Sequence, residues 1–148
     1  ENYLDTENFN NQNYQIDTFE VNPKFVFEYS KTHQFSFFYA YKQKENQISS
    51  LDELSQQKLG GSYYYSSKNK NLLRAEFNLL FNDFTGNQNS PVAYQMLEGL
   101  QPGRNYTMTV IFQKKINAFI NLNFNYLGRK SENAPFIHTG SMQLRANF

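Results

Sequence analysis

From Phe136 to Phe148 the chain alternates between two faces, one carrying Phe136, Gly140, Met142, Leu144, Ala146 and Phe148, the other Thr139, Ser141, Gln143, Arg145 and Asn147. Alternation of period two is the mark of a strand with apolar material on one side and polar material on the other. Six stretches upstream repeat it, at about Val21 to Tyr29, Gln34 to Lys42, Lys58 to Ser66, Leu72 to Asn82, Tyr106 to Gln113 and Ile116 to Gly128. The reading therefore gives seven strands, each roughly the 9–11 residues that a tilted strand needs to cross a bilayer.

One face collects the large side chains, among them Phe25, Phe27, Phe35, Phe37, Tyr39, Leu59, Tyr63, Leu73, Phe77, Met108, Val110, Ile116, Ala118, Leu122 and Phe124. His138 is the one ionisable group there that is basic or acidic. The opposite face takes Lys24, Glu28, Lys42, Lys58, Arg74, Glu76 and Arg145, with Asn117, Asn121, Asn123 and Asn125. A soluble sandwich also segregates charge, so bulk decides between water and lipid. Phe or Tyr at nearly every second position would overfill a core that must interdigitate at crystal-like density, whereas a convex face against lipid has no such limit. The predicted fold is all-β, an antiparallel up-and-down transmembrane β-barrel.

The connections alternate in length. Ser30 to His33, Ser67 to Asn71 and Lys114–Lys115 are short; Gln43 to Gln57 and Asp83 to Asn105 are long, and Arg129 to Pro135 is intermediate. Transmembrane barrels have short periplasmic turns and longer extracellular loops. Placing the C-terminus in the periplasm puts every short turn there and every long loop outside. Residues 1–20, rich in Asn and Asp, then read as a polar extracellular loop or strand lead-in, and 21–148 as the barrel segment. Barrels usually have an even number of strands with both termini in the periplasm. An outside start with seven strands implies at least one earlier strand, and a chain that is the C-terminal part of a larger barrel. Pro23 removes a ladder donor and belongs on an edge or bulge.

Composition agrees. No run of about 18 apolar residues exists for a membrane helix, and mean hydropathy is -0.72. Aromatics nevertheless reach 18% of the 148 residues, with 15 Phe and 11 Tyr. Phe and Tyr separated by Asn, Ser, Thr and Gln suit a barrel wet inside and lipid-coated outside. A net charge of +1 from scattered residues gives no field for nucleic acid. The absence of cysteine removes disulfides and thiolate metal sites.

The segment LEGLQPGRNYTMTVIFQKKINAFINLNFNYLGRKSENAPFIHTGSMQLRANF, Leu97 to Phe148, resembles the end of large outer-membrane proteins of Bacteroidota. The specific parts are the NYT strand, the two-lysine turn, the NLNFNYLGRKS strand and the IHTGSMQLRANF ending, about a third of the chain. The resemblance implies an outer-membrane location and an assembly signal at Met142, Leu144, Ala146 and Phe148, read by the barrel assembly machinery. The ending departs from that of SusC-like nutrient transporters, which leaves uptake a minor alternative.

No catalytic, metal or cofactor site is expected. His33 and His138 lack a second ligand at useful spacing, and no GxSxG-type elbow is present. Glu28 and Glu76 share a face with Lys24, Lys58 and Arg74, so a luminal charge network with Arg145 is expected rather than a carboxylate pair. Gly60–Gly61 fits a bulge or close backbone approach. Ser50 and Glu53 have the spacing of a capping box, predicting a short surface helix. Val92, Tyr94, Met96, Leu97 and Leu100 are apolar for a free loop. Either they pack on the chain's own rim or they dock a surface lipoprotein or secretion-complex subunit.

The expected function is non-enzymatic: a wall of an outer-membrane barrel for passage of material, or for assembly and secretion at the cell surface. Its expected partners are lipid, the assembly machinery and the remaining strands of the same barrel. The rival reading is a soluble all-β ligand-binding module or surface adhesin.

Overall fold

The computed structural model describes residues 14–48, 52–67 and 71–146, and the backbone of 2–4. The strands are β1 (Asn2–Leu4), β2 (Tyr14–Val21), β3 (Lys24–Ser30), β4 (His33–Asn46), β5 (Glu53–Ser66), β6 (Leu72–Thr85), β7 (Gly103–Lys115), β8 (Ile120–Ser131) and β9 (Ile137–Ala146), with one helix, α1 (Pro91–Met96). They form one antiparallel sheet in the order β1-β2-β4-β5-β6-β7-β8-β9, with β3 also on β4. α1 has 6 residues, and among the described residues no helix is long and apolar enough to cross a membrane.

β2 and β3 are one strand interrupted at Asn22–Pro23. The register passes from Val21↔Tyr41 to Lys24↔Phe38 without a slip, and Tyr39 N donates to Pro23 O at 3.1 Å. Pro23 faces Tyr39 in a hydrogen-bonded pair, so its missing N–H forgoes the one return bond to β4, a loss that a strand with no second neighbour at this point among the described residues tolerates. Residues 14–20 are thus strand, the lead-in alternative rather than the loop. Their composition is polar, with Ile16 on the polar face and Phe19 on the aromatic one, and a strand at an edge tolerates it.

Three other boundaries move. β4 and β5 extend until residues 47–52 alone connect them, and Glu53 lies in β5 rather than in the expected helix; Ser50 lies outside the described residues. Continued pairing from Lys42↔Gln56 to Glu45↔Glu53 satisfies more backbone groups than one helical turn would. The turn expected at Lys114–Lys115 lies at Ile116–Phe119. There Asn117 Oδ1 accepts from the Phe119 and Ile120 amides, each at 2.8 Å, an Asx-type turn. Ile116 and Ala118 therefore leave the strand face.

The pairing establishes which side chains share a face. Phe25, Phe37, Gly61, Phe77, Met108, Gly128 and His138 form one row across seven strands. The next row is Lys24, Phe38, Gly60, Asn78, Thr107, Arg129 and Ile137. Burial is inverted relative to a soluble sheet. Phe25, Phe37 and Phe77 of the aromatic face are 76%, 63% and 52% exposed, whereas Ser36, Lys44, Gln56, Asn78, Asn82 and Asn105 of the polar face are buried. The hydrophobic cluster that does exist, Ile16, Leu54, Phe84, Val92, Ala93, Met96 and Leu97, lies on the polar face at its long-connection end.

The architecture is all-β and antiparallel as predicted, but the sheet is open. Among the described residues neither β9 nor the β2–β3 strand beyond Ile16 has a second neighbour. Successive antiparallel pairings make β2–β3 and β9 run in the same direction.

Candidate functional site: a capped end of the polar face

The connection from β6 to β7 folds back over the sheet. Ser90 caps α1, its Oγ accepting from Ala93 N at 3.0 Å, and Pro91 takes the first turn, where its missing N–H is harmless. One side of the helix then carries Val92, Ala93 and Met96 onto Ile16, Leu54 and Phe84.

The helix ends at Leu97, and Glu98 and Gly99 follow with φ of 56° and 73°. Glycine adopts this left-handed backbone freely, but a residue with a Cβ is disfavoured there by about 1–2 kcal/mol. Glu98 is held in it by its side chain. Oε1 lies 2.8 Å from Lys44 Nζ and 3.0 Å from Lys42 Nζ. Lys44 is buried and also donates to Met96 O at 2.8 Å; Lys42 reaches Glu20 Oε2 at 3.4 Å. Burial pushes the Glu98 carboxyl up, but the hydrogen bonds and charges of Lys44 and Lys42 outweigh it and hold the group below its ordinary value.

A second, neutral attachment holds the far end of the cap. Asn105, fully buried, donates to Gln101 O at 2.7 Å and to Gly103 O at 3.1 Å, and accepts from Gln101 N and the Ser131 hydroxyl. Asn82 donates to the same Gln101 O at 3.1 Å and accepts from Gln56 at 2.9 Å. Lys–Glu pairs on one side and an amide chain on the other fix the cap over β4, β5 and β6.

Lys24, Glu28, Lys58, Arg74, Glu76 and Arg145 all lie on the polar face, and the structure couples part of them: the charges of Lys58 and Arg74 both act on Glu76. Arg74 and Glu76 pair at 3.2 Å, Asn78 donates to Glu76 at 3.1 Å, and Lys58 sits over the Phe38 ring at 5.1 Å. Lys24, Glu28 and Arg145 make no ion pair among the described residues. Spacing along the strands places them too far apart on an extended sheet. A separate charge network joins Glu20, Lys42, Lys44 and Glu98. Glu98, the one charged residue in the connection between β6 and β7, was the available signal for it.

Val92, Met96 and Leu97 are buried and Leu100 is half-buried, so they do not form a free docking surface with Tyr94. Tyr94, 70% exposed, is the one that stays open. Of the terminal signal, Met142 and Leu144 are exposed on the aromatic face, Ala146 ends β9 beside Ile120, and Phe148 lies outside the described residues. His33 and His138 each share a hydrogen bond with a tyrosine, Tyr63 and Tyr126, at 2.8 Å. Among the described residues no three His, Cys, Asp or Glu gather into a metal-holding group.

No family model, curated protein or solved structure matches this chain.

Proposed function

We propose that the chain forms part of the wall of an integral outer-membrane β-barrel, a non-enzymatic element for passage of material or for assembly and secretion at the surface of a Gram-negative cell. The observation that carries this is the inverted burial of one continuous sheet. Monomeric soluble proteins rarely expose apolar patches beyond a few hundred Å², whereas Phe25, Phe27, Phe37, Leu59, Phe77 and Leu144 are each more than half exposed on a single face. In the proposed arrangement that face meets lipid and the polar face lines a lumen. The long connections are extracellular, and α1 with Glu98 covers the outer mouth of this part of the lumen. Met142, Leu144, Ala146 and Phe148 would be presented to the barrel assembly machinery.

Edges exposed to hydrocarbon leave backbone groups unsatisfied at a cost of several kcal/mol each, so a membrane sheet must close. Because β2–β3 and β9 run the same way, antiparallel closure calls for an odd number of further strands between them. β1, antiparallel to β2, supports such a strand on that side. Membrane fractionation followed by intact-mass measurement tests the reading. Detergent-dependent recovery from outer membranes is expected, at 17.5 kDa if β1 completes the closure and at a higher mass if further strands do. Recovery in the soluble fraction would favour the binding-module alternative.

A further inference from the structure

At the short-turn end of the polar face, opposite the cap, lies a cavity of about 320 Å³ lined by Gln113, Lys114, Lys115, Asn121, Asn123 and Arg145, with Leu122 at its margin. Pairing builds it: Lys115, Asn121 and Arg145 form one row across β7, β8 and β9, and Gln113 and Asn123 the next. We propose that this cavity is a binding site for a phosphate-bearing anion.

Charge balance supports the assignment. At the capped end Lys42 and Lys44 are matched by Glu20 and Glu98, and in mid-sheet Arg74 is matched by Glu76. Around this cavity two cations converge, Lys115 and Arg145, while Lys114 shares its row with Leu122 and Leu144 on the other face; among the described residues no carboxylate lines the cavity and neither cation makes an ion pair. Like charges gathered on a concave surface raise one another's energy, and a bound anion reverses that sign. A phosphomonoester carries close to two negative charges at neutral pH and has three acceptor oxygens, which fits two cations with the amide donors of Gln113, Asn121 and Asn123 beside them better than a single carboxylate does. Arg145 offers the planar fork that engages two phosphate oxygens together, and Lys115 acts as a point charge. The volume, on the order of ten waters, admits a phosphate group with part of its substituent.

The anion has two possible sources, a phospholipid headgroup of the inner leaflet reaching over the rim at the strand ends, where Lys115 closes β7, or a soluble phosphate compound entering the lumen; this distinction rests on the barrel reading, the site itself does not. The test uses the full chain in a non-ionic detergent at low ionic strength. Inorganic phosphate is titrated by ³¹P NMR, and phosphatidic acid against phosphatidylcholine by native mass spectrometry. Saturable binding of either phosphate probe is expected, weakened at least tenfold in Lys115→Gln/Arg145→Gln and unchanged in Lys130→Gln, a control distant from the cavity. Asn121→Asp/Asn123→Asp, which keeps every cation and adds carboxylates, is expected to abolish binding as well. Inorganic phosphate binding points to the soluble source, and phosphatidic acid binding alone points to the headgroup. Absence of saturable binding to both probes, or equal binding in the Lys115/Arg145 variant and the control, overturns the site. Phosphate binding by a protein that stays dispersed without detergent would overturn the barrel reading and leave the site standing.

Discussion

Replacing Glu98 by alanine tests whether the cap is latched by charge. The change removes contacts at 2.8 Å to Lys44 and 3.0 Å to Lys42. Hydrogen bonds to charged groups contribute about 1.5–3 kcal/mol each. The Glu98 side chain is 49% exposed, so solvent screening trims both. Lys42 keeps Glu20, but Lys44, whose side chain is 8% exposed, is left with a buried charge and only the Met96 carbonyl. A net loss of about 2–3 kcal/mol follows, which is roughly a 30- to 150-fold rise in the cap's opening constant. Hydrogen exchange at the Leu97 and Gly99 amides, which bond to Ala93 O and Tyr94 O, reads that opening directly. Glu98→Gly loses the same contacts but relieves the left-handed backbone, recovering about 1 kcal/mol, so it should exchange several-fold more slowly than Glu98→Ala. Wild-type exchange in both variants would refute the latch, and identical exchange in the two would refute the strain.

Acid should open the cap for the same reason. Glu98 titrates below its ordinary value of 4.5 in the folded protein, so its contribution is present above about that pH and is lost as pH falls through the lower folded value; cap exchange, corrected for intrinsic rates, should rise in that window in wild type and not in Glu98→Gln. Gly60→Ala should destabilise the sheet by about 1–3 kcal/mol, because a Cβ there overlaps the Phe38 ring and Asn78 Oδ1, whereas at Gly61 it would meet Phe37 at an ordinary 3.6 Å; denaturation of the two variants in lipid should separate them. Phe77→Arg should hinder insertion by about 2–4 kcal/mol, and Thr109→Arg on the polar face by much less; equal losses in a liposome-folding titration would contradict the face assignment.

The faces were legible in the sequence because a period of two survives errors in strand ends: shifting a boundary adds or removes residues without moving Phe37 or Phe77 to the other side. The boundaries were not legible where the contrast weakens. Near the cap the polar face is buried, so Ile16, Leu54 and Phe84 appear on it beside Lys44 and Gln56, and the segments read as loop. Asn22–Pro23 resembled a strand start, although an edge strand passes through it. The helix of the cap was foreshadowed only by the apolar Val92, Met96 and Leu97, which the sequence could not assign between self-packing and docking. Their burial against Ile16, Leu54 and Phe84 depends on residues far away along the chain, as does the pairing of Glu98 with Lys44. Arg74 and Glu76 pair as near neighbours on one strand face, whereas Lys24 and Arg145 lie on strands at opposite sides of the sheet.

Nitroxide scanning along β4 in liposomes tests the central claim most directly, with one label at a time from Phe35 to Ala40. Dissolved oxygen, concentrated in the bilayer, should relax labels at 35, 37 and 39 strongly, and a water-soluble nickel complex should favour 36, 38 and 40 wherever the lumen admits it. Period-two oxygen accessibility in that phase is the predicted result; uniform accessibility to the nickel complex at all six positions, with no oxygen alternation, would contradict a lipid-facing aromatic wall.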